Sequence, residues 1–258
     1  LHIRTIAKTN DAIHRLLGVG IAFPGEVSAD RDYVIRSTVL GVKNLSIAEI
    51  QKHFSYPVYV EYGANAAGFG TVWRSKELKD AVYVIVTNNG VAGSIILNNE
   101  IYHGRTGRAG AFGHITLNPS GRKCFCGACG CWSAYNALNA LTGLDETDLD
   151  GFFEKVNNED PDAIAKWDEY LTYFADGLST VSMSFDIDIV IGGPLAVYLV
   201  PWLDTIISKM QSRPTLNGEN ISIHLDTKSE SPMAEGVALM IVAKFLNDEL
   251  DNFRFDEL

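Results

Sequence analysis

Two patterns of hydrophobic and polar residues alternate along this chain. Short, almost wholly apolar runs at 18–23, 57–61, 81–86, 186–191 and 221–225 are typical of buried strands. Longer stretches with an apolar face every three or four residues predict helices at 1–17, 46–54, 64–73, 132–141, 145–178, 202–211 and 233–250. Strands that alternate with helices predict an α/β protein.

Three local signals refine these elements. The turn Asn88-Asn89-Gly90 predicts a hairpin in which residues 94–97 pair with the strand that precedes the turn. Ser46 followed by Glu49 matches a capping box, in which each side chain binds a backbone N–H at the start of the helix. The helix at 64–73 is rich in alanine and glycine, which predicts very close packing against its neighbour.

The composition is that of a globular protein with a large core, in one domain of two lobes or in two domains. The chain has 258 residues, of which 47% are hydrophobic and 21% charged. Its net charge of −11 argues against nonspecific binding of nucleic acid through this surface. No apolar run approaches the ~18 residues of a membrane span, and the charged, amphipathic start is unlike a signal peptide.

The cysteines form one cluster that is typical of a metal site. They stand within eight positions, and Gly113-His114 precedes them by ten, at Cys124, Cys126, Cys129 and Cys131. Three thiolates and one imidazole around Gly127 and Gly130 predict a tetrahedral zinc site. Cys129 could replace His114 as a ligand or take no part, and the alternatives are free thiols and an ordinary strand histidine. Since no cysteine is left to staple the rest of the chain, we expect a reducing, cytoplasmic setting.

The histidine and cysteine segment, with the spacing C-x-C-G-x-x-G-C, resembles the signature of the ROK family of repressors, unassigned frames and sugar kinases. Four other segments resemble the family in the same order. They are the strand and Pro-Gly sugar loop at 17–26, the E-N-D-A-N-A-A segment at 58–68, the second phosphate loop and hairpin at 86–110, and the Gly-Gly turn at 189–196. The similarity covers most of residues 17–250.

The resemblance implies an actin-like, hexokinase-like (ribonuclease H-like) α/β fold of two lobes with a zinc knuckle. We expect residues 1–75 to form part of an N-terminal lobe, which the C-terminal helix at 233–258 joins. Residues 76–232 would form the C-terminal lobe, with the knuckle at 114–131. The metal ligands that the resemblance implies are His114, Cys124, Cys126 and Cys131, which leaves Cys129 as an extra cysteine.

At the positions where the family binds and phosphorylates sugar, this chain lacks the polar groups. The catalytic Asp of E-N-D, which accepts the proton of the attacking hydroxyl, is matched by Gly63, and the preceding Asn by Tyr62. The Glu of G-E-x-G-H is matched by Ala111, and the Glu after the last cysteine by Ser133. Glycine offers no acceptor for this proton, so we expect no catalytic residue. A sugar bound at these positions would also leave hydroxyl groups without hydrogen-bond partners. The resemblance implies these ligand-facing positions: Gly25, Tyr62, Gly63, Asn65, Ala111, His114 and Ser133.

The segments that match the family's nucleotide-binding loops also depart from the family pattern. Asn89 stands where a glycine usually lets the backbone approach phosphate, and a plain hairpin turn is an equally good interpretation. The chain begins where the family's first helix would begin, so we expect its first three strands, with their Asp-Gly-x-Thr hairpin, to be missing from this sequence. Bound ATP and magnesium are therefore not expected. The nucleotide-proximal positions that the resemblance implies are Thr87, Asn88, Gly90, Gly192 and Gly193.

The function that fits best is the effector-binding and dimerisation region of a sugar-responsive transcriptional regulator, without kinase activity. Its partners would be a sugar or sugar-derived molecule and a second copy of the chain, with DNA bound only through an N-terminal domain not present here, and no membrane. The alternatives are an ATP-dependent sugar kinase and a degenerate structural partner protein. Glu61 and Asn65 are expected to hold their loop rather than react, and His103 to be an exposed hairpin residue.

Overall fold

The computed structural model of the protein describes residues 16–143, 148–218, 220–229 and 231–252. Nearly all of the helix predicted at 1–17, and the first residues of the one predicted at 145–178, lie outside these ranges. Among the described residues, no helix combines the length and the apolar character needed to cross a membrane.

The described chain alternates strands and helices, which confirms the α/β prediction. The strands are β1 Val19–Phe23, β2 Glu26–Val27, β3 Tyr33–Ser37, β4 Val42–Ser46, β5 Val58–Tyr62, β6 Ala81–Thr87, β7 Gly90–Leu97, β8 Glu100–Ile101, β9 Asp188–Gly192 and β10 Ile223–Leu225. The α-helices are α1 Ile47–Gln51, α2 Gly63–Arg74, α3 Ser133–Asn136, α4 Leu138–Thr142, α5 Leu149–Asn157, α6 Pro161–Phe185, α7 Ala196–Leu199, α8 Leu203–Gln211 and α9 Pro232–Asn252. Short 3-10 helices cover Phe112–His114 and Val200–Trp202.

A five-stranded sheet in the order β10-β9-β6-β7-β8 forms the centre of the larger part of the fold. Strands β6, β9 and β10 run parallel, whereas β7 and β8 continue the sheet as antiparallel hairpins. The first six residues of β6 are all buried, as its unbroken apolar run predicts for a strand covered on both faces. On one face the sheet packs against an aromatic core in which Trp132, Trp167 and Phe174 are fully buried.

Two smaller sheets form the part of the fold that precedes α2. Strands β1 and β5 pair in parallel, and β2, β3 and β4 form an antiparallel meander. The pattern at 18–23 and 57–61 predicts the first pair correctly. The β3–β4 hairpin has no counterpart in the prediction, because only Val34 of β3 is a fully buried apolar residue and the rest of that strand is partly polar.

Helices α2 and α9 cross at a point of very close contact, as the small residues of α2 predict. A Cβ atom added to Gly70 would lie 2.7 Å from the Cα of Gly236, and one added to Gly236 would lie 1.8 Å from the carbonyl oxygen of Ala66. No side chain fits between the two backbones there. Helix α9 also packs against β1, where Val237 and Ile241 cover Gly20.

Two predicted details are wrong. The single helix predicted at 132–141 is interrupted at Ala137, because the Tyr170 hydroxyl donates to the backbone carbonyl of Asn136, 2.8 Å away. Ser46 stands at the N-cap of α1, but its side chain makes no capping hydrogen bond. The division into lobes at 1–75 and 76–232 stays a prediction.

Candidate functional site: a Cys/His cluster beside an altered ligand cleft

The structure brings His114, Cys124, Cys126 and Cys131 into one cluster. One donor atom from each residue lies within 4.8 Å of every other. Nδ1 of His114 is 3.9 Å from Sγ of Cys124, and the sulfurs of Cys126 and Cys131 are 3.7 Å apart. Ligands about 2.3 Å from a tetrahedral ion stand about 3.8 Å from one another, whereas bonded sulfurs are about 2.05 Å apart. The spacing therefore fits a shared metal ion and not a disulfide.

Tight turns explain how so short a segment converges. Gly127 and Gly130 both have a positive φ, at 95° and 78°, which a residue with a side chain rarely adopts. A Cβ on Gly130 would also lie 1.6 Å from the carbonyl oxygen of Asn118. A bridge between Thr116 and Cys131 holds the end of the knuckle against the strand-like segment that follows His114.

The protonation chemistry of the cluster also suits a cation. Desolvation raises the pKa of Cys131 to about 12, with the neighbouring Cys126 and Cys124 adding to it, so this thiol stays neutral unless a positive charge is close. Desolvation lowers the pKa of His114, which favours the neutral imidazole that binds metals. Cys129 is exposed and lies outside the cluster, so the geometry favours His114 over Cys129 as the fourth donor.

At the end of β5, the position predicted to match the family's catalytic Asp is covered by an apolar side chain. Gly63 is the first residue of α2, and a Cβ added there would lie 2.8 Å from the sulfur of Met233. The preceding residue, Tyr62, packs its ring between two apolar clusters. Burial, with the charge of Glu26 adding to it, raises the pKa of the Tyr62 phenol to about 12, so this group is a neutral hydroxyl.

Glu61 is buried and held by four donors. Its Oε1 accepts hydrogen bonds of 2.9 Å from Nδ2 of Asn65 and from the backbone N–H of Tyr62. Its Oε2 lies 2.9 Å from Nε2 of His103 and 3.2 Å from Nε of Arg31. Burial alone would raise the pKa of Glu61, but the bonds from His103 and Asn65 and the nearby charges hold it below its usual value. Glu61 and Asn65 therefore hold the loop, as predicted.

His103 corrects an expectation. The sequence predicts an exposed hairpin histidine, yet its side chain is only 16% exposed and binds Glu61 across 42 residues of sequence. The loop between β8 and His114 continues from His103 towards the small meander. There Arg108 binds Glu26, and a Cβ on Gly107 would lie 2.1 Å from the carbonyl oxygen of Val27. This loop thus connects the central sheet to β5 through Glu61 and to the meander through Glu26.

The remaining positions predicted to face a ligand have local structural partners. Gly25 lies against the backbone of β3, where a Cβ would be 2.4 Å from the carbonyl oxygen of Arg36. Ala111 is exposed just before the 3-10 helix that carries His114. Ser133 is buried, and its hydroxyl accepts a 3.0 Å hydrogen bond from the N–H of Val91. Ser133 is therefore engaged with β7 and has no surface to offer a sugar.

The two loops predicted to lie near a nucleotide meet at one edge of the central sheet. Ile85 pairs with Gly192, and a Cβ on Gly193 would lie 2.7 Å from the side chain of Ile85. Gly193 has a φ of 85°, as the strand-to-helix turn requires. At the tip of the β6–β7 hairpin the Thr87 hydroxyl donates to the carbonyl of Gly90, 2.9 Å away, which closes Asn88 and Asn89 into a tight turn.

Comparison with known proteins identifies the family. The model of the ROK family matches residues 3–228. This chain belongs to the ROK family. A xylose repressor of Caldicellulosiruptor bescii is 31% identical over 127 residues, which are 48% of this chain and 32% of the repressor. A glucokinase of Halalkalibacterium halodurans is 31% identical over 115 residues, 43% of this chain and 35% of the kinase. The matched segment thus spans about a third of these curated relatives.

Solved ROK structures share the fold. A glucokinase from Streptomyces griseus, in complex with glucose and AMPPNP, aligns over 92% of this chain and 84% of its own, with a TM-score of 0.75 and 23% identity. A ROK transcriptional regulator homologous to the Escherichia coli MLC protein aligns over 94% and 69%, with a TM-score of 0.74 and 20% identity. Kinases and regulators of the family therefore resemble this fold equally, and the fold does not separate the two functions.

Sequence reasoning missed three arginines and one methionine around the site. No motif marks Arg31, Arg36, Arg108 or Met233, and all of them but Arg36 contact a partner far away in sequence. Arg31 reaches Glu61 from the loop between β2 and β3 with a φ of 61°, a conformation that is uncommon for arginine. The one local signal is the run Ser28-x-Asp30, where the Ser28 hydroxyl accepts the N–H of Asp32 and Tyr33 and fixes that loop.

Proposed function

We propose that this chain is the effector-binding and dimerisation region of a sugar-responsive ROK regulator and that it has no kinase activity. One observation carries the proposal. Where a ROK kinase needs a carboxylate as general base, this chain has Gly63, and the space beside it is filled by the thioether of Met233. A thioether accepts no proton at neutral pH, so a sugar hydroxyl held there would not be activated.

The second candidate is an ATP-dependent sugar kinase, which the similarity to glucokinases favours. Within the described residues, Glu61 is the buried carboxylate nearest in sequence to the base position. It is a poor base, because four donors already occupy both of its oxygens and hold its pKa below the usual value. An efficient general base has a pKa near the working pH. The kinase alternative is therefore weaker than the regulator.

The cluster supports a structural role for zinc. His114, Cys124, Cys126 and Cys131 would hold the ion, and four protein donors leave no open position for a substrate. When bound, the ion would supply the positive charge that keeps the buried thiols as thiolates. The chain's own contribution is the pair of glycine turns that aims the sulfurs at one point and the bridge that fixes Cys131.

The wider proposal includes a sugar or sugar-derived ligand, a second copy of the chain and the cytoplasm as location. Support for a sugar comes from relatives, since a ROK protein of Streptococcus pneumoniae in complex with sucrose aligns over 95% of this chain and 86% of its own, with a TM-score of 0.77 and 18% identity. DNA contact would require a domain outside this sequence. The two-lobed division at residue 75 is part of the same proposal.

The test is an ATP-consumption assay with hexoses and amino sugars on the wild-type chain and on the Gly63→Asp variant. We expect no sugar-dependent turnover from either protein, because the variant restores the carboxylate but leaves Ala111 and Ser133 in place of the sugar-binding carboxylates. Turnover above ~1 s⁻¹ by the wild type would overturn the regulator proposal. Phosphorylation by the variant alone would show that Gly63 is the single missing element. Sugar binding without turnover, measured by thermal shift, would support the effector role.

A further inference from the structure

A row of charged residues crosses the small meander beside the candidate cleft. Glu26 of β2, Arg36 of β3 and Lys43 of β4 are direct neighbours in the strand register, so their side chains lie on one face. Arg36 donates to Oε1 of Glu26 over 2.7 Å. Lys43 is exposed, and among the residues that the structure describes no carboxylate lies within ion-pair distance of it.

A third cation reaches the row from another part of the fold. Arg108, in the loop after β8, places its Nε 3.0 Å from Oε2 of the same Glu26 carboxylate. Arg36 and Arg108 thus each bind one oxygen of the same carboxylate. The side chains of both arginines are 60% exposed, so most of their N–H donors face open space. A guanidinium has five donors, and Glu26 uses only a minority of them.

The charges in this row do not balance. Two of the three cations share the Glu26 carboxylate and Lys43 has none among the described residues, in a chain whose overall charge is −11. Arg36 and Lys43 are directly opposite on neighbouring strands, and like charges in that position destabilise a sheet. A bound anion would relieve this repulsion and would meet guanidinium groups that suit phosphate and carboxylate geometry. The excess positive charge therefore makes this face suited to bind an anion.

The row borders the positions that the family uses for its ligand. Gly25 directly precedes Glu26 and contacts the backbone of Arg36. Strand β2, which carries Glu26, contacts β5, which ends at Tyr62, so the row lies close to the end of β5. An anionic group on a sugar held near Gly25 and Tyr62 would therefore be within reach of the row.

We propose that Arg36, Lys43 and Arg108 form an anion subsite, and that the effector is a negatively charged sugar, carrying a phosphate or a carboxylate. This proposal rests on the proposed function, since it names the class of sugar that the same cleft would bind. It also accounts for the loss of the family's glutamates at Ala111 and Ser133. A sugar recognised by its charge at the meander would need fewer contacts to its hydroxyls.

The test measures binding of free sugars and of their charged forms by calorimetry at low and at high salt. Glucose, mannose and N-acetylglucosamine would be compared with their 6-phosphates, with glucuronate and with inorganic phosphate. We expect a charged sugar to bind at least ~10-fold more tightly than the matching free sugar, with an advantage that shrinks as salt rises. Phosphorylated sugars and glucuronate distinguish the two sources of charge.

Three outcomes would contradict the anion subsite, and one of them would also contradict the sugar effector. Equal or tighter binding of a free sugar would overturn the anion subsite and leave the sugar effector standing. Inorganic phosphate binding as tightly as every sugar phosphate would also overturn it, because no sugar would then be recognised. Binding of none of these compounds would overturn the sugar effector itself, and the anion subsite with it.

Variants separate recognition from folding. Lys43→Gln should weaken binding of the charged sugar by ~5-fold or more, while the melting temperature of the free protein stays the same or rises, since a repulsion is removed. A purely structural lysine would not change the two quantities in opposite directions. Arg108→Gln should weaken the same binding, and Arg213→Gln is the control because it removes an arginine paired with Asp176 on another surface. Unchanged affinity in both Lys43→Gln and Arg108→Gln would overturn the subsite.

Discussion

The Cys/His cluster and the carboxyl end of β5 match two motifs of one family, and they differ in what this chain has kept. The cluster retains a complete set of four donors within 4.8 Å of one another. By the family resemblance, Gly63 and Tyr62 at the end of β5 stand where the family has its base and an Asn, and Ala111 and Ser133 stand where it has two further carboxylates. The donor set of the knuckle is therefore complete, whereas the groups expected for sugar chemistry are absent from the matched positions.

The two regions also differ in how their surroundings have adapted. Around the cluster, the glycine turns and the bridge at Cys131 serve only to aim the donors. At the end of β5, the Met233 side chain lies against Gly63, and at the central sheet the Ser133 hydroxyl binds the backbone of Val91. A site whose groups are merely absent could regain them by single substitutions, but a repacked site would need several changes.

Removing one donor from the cluster should have the largest effect. Cys131→Ser is expected to lower the free energy of unfolding by about 4 kcal/mol, because Cys131 is buried and metal binding is coupled to folding. Bound zinc should fall from about one ion per chain to well below that, as elemental analysis would measure. Cys129→Ser is the matched control and should change neither quantity. If Cys129→Ser lost the metal and Cys131→Ser kept it, the donor set would be wrong.

Removing the buried charge at the end of β5 should lower the free energy of unfolding by a somewhat smaller amount. Glu61→Gln is expected to lower the free energy of unfolding by about 3 kcal/mol at pH 7, since Arg31 and His103 lose their acceptor. Urea denaturation would measure this. Glu49→Gln, which breaks an exposed pair with Lys52, should cost about 0.5 kcal/mol or less.

The difference in unfolding free energy between wild type and Glu61→Gln should depend on pH, because the pKa of Glu61 is lowered. A carboxyl whose folded pKa is depressed adds stability above its unfolded value of about 4.3, and this stability is lost as the pH falls through the folded pKa. The gap between wild type and Glu61→Gln should therefore be full at neutral pH and shrink below about pH 4. A gap that stayed constant from pH 7 to pH 3 would mean that Glu61 is not an ionised partner of Arg31 and His103.

The smallest expected effect tests whether Ser133 has become structural. Ser133→Ala should lower the free energy of unfolding by about 1–2 kcal/mol, because the buried N–H of Val91 loses its acceptor. Ser120→Ala, at an exposed position before the first cysteine, is the control and should be neutral. If Ser133→Ala left stability unchanged but altered the affinity for a sugar, Ser133 would belong to the ligand site after all.

The sequence predicts the Cys/His cluster better than the contacts at the end of β5, and the reason is physical. The knuckle depends on residues within 18 positions, so its spacing predicts a metal site, although the choice of His114 over Cys129 comes from the family resemblance. The runs that form β5 and β6 are apolar enough to predict strands. The contacts of Glu61 with Arg31 and His103 join segments 30 and 42 residues away. No periodicity encodes such contacts, and the polar β3–β4 hairpin that carries Arg36 gave no clear strand signal.

The crossing of α2 and α9 has a mechanical consequence. With only backbone atoms between Gly70 and Gly236, no side chain lies at the crossing to absorb a displacement of one helix against the other. We therefore expect a ligand that shifts the start of α2 at Gly63 to displace α9 as well.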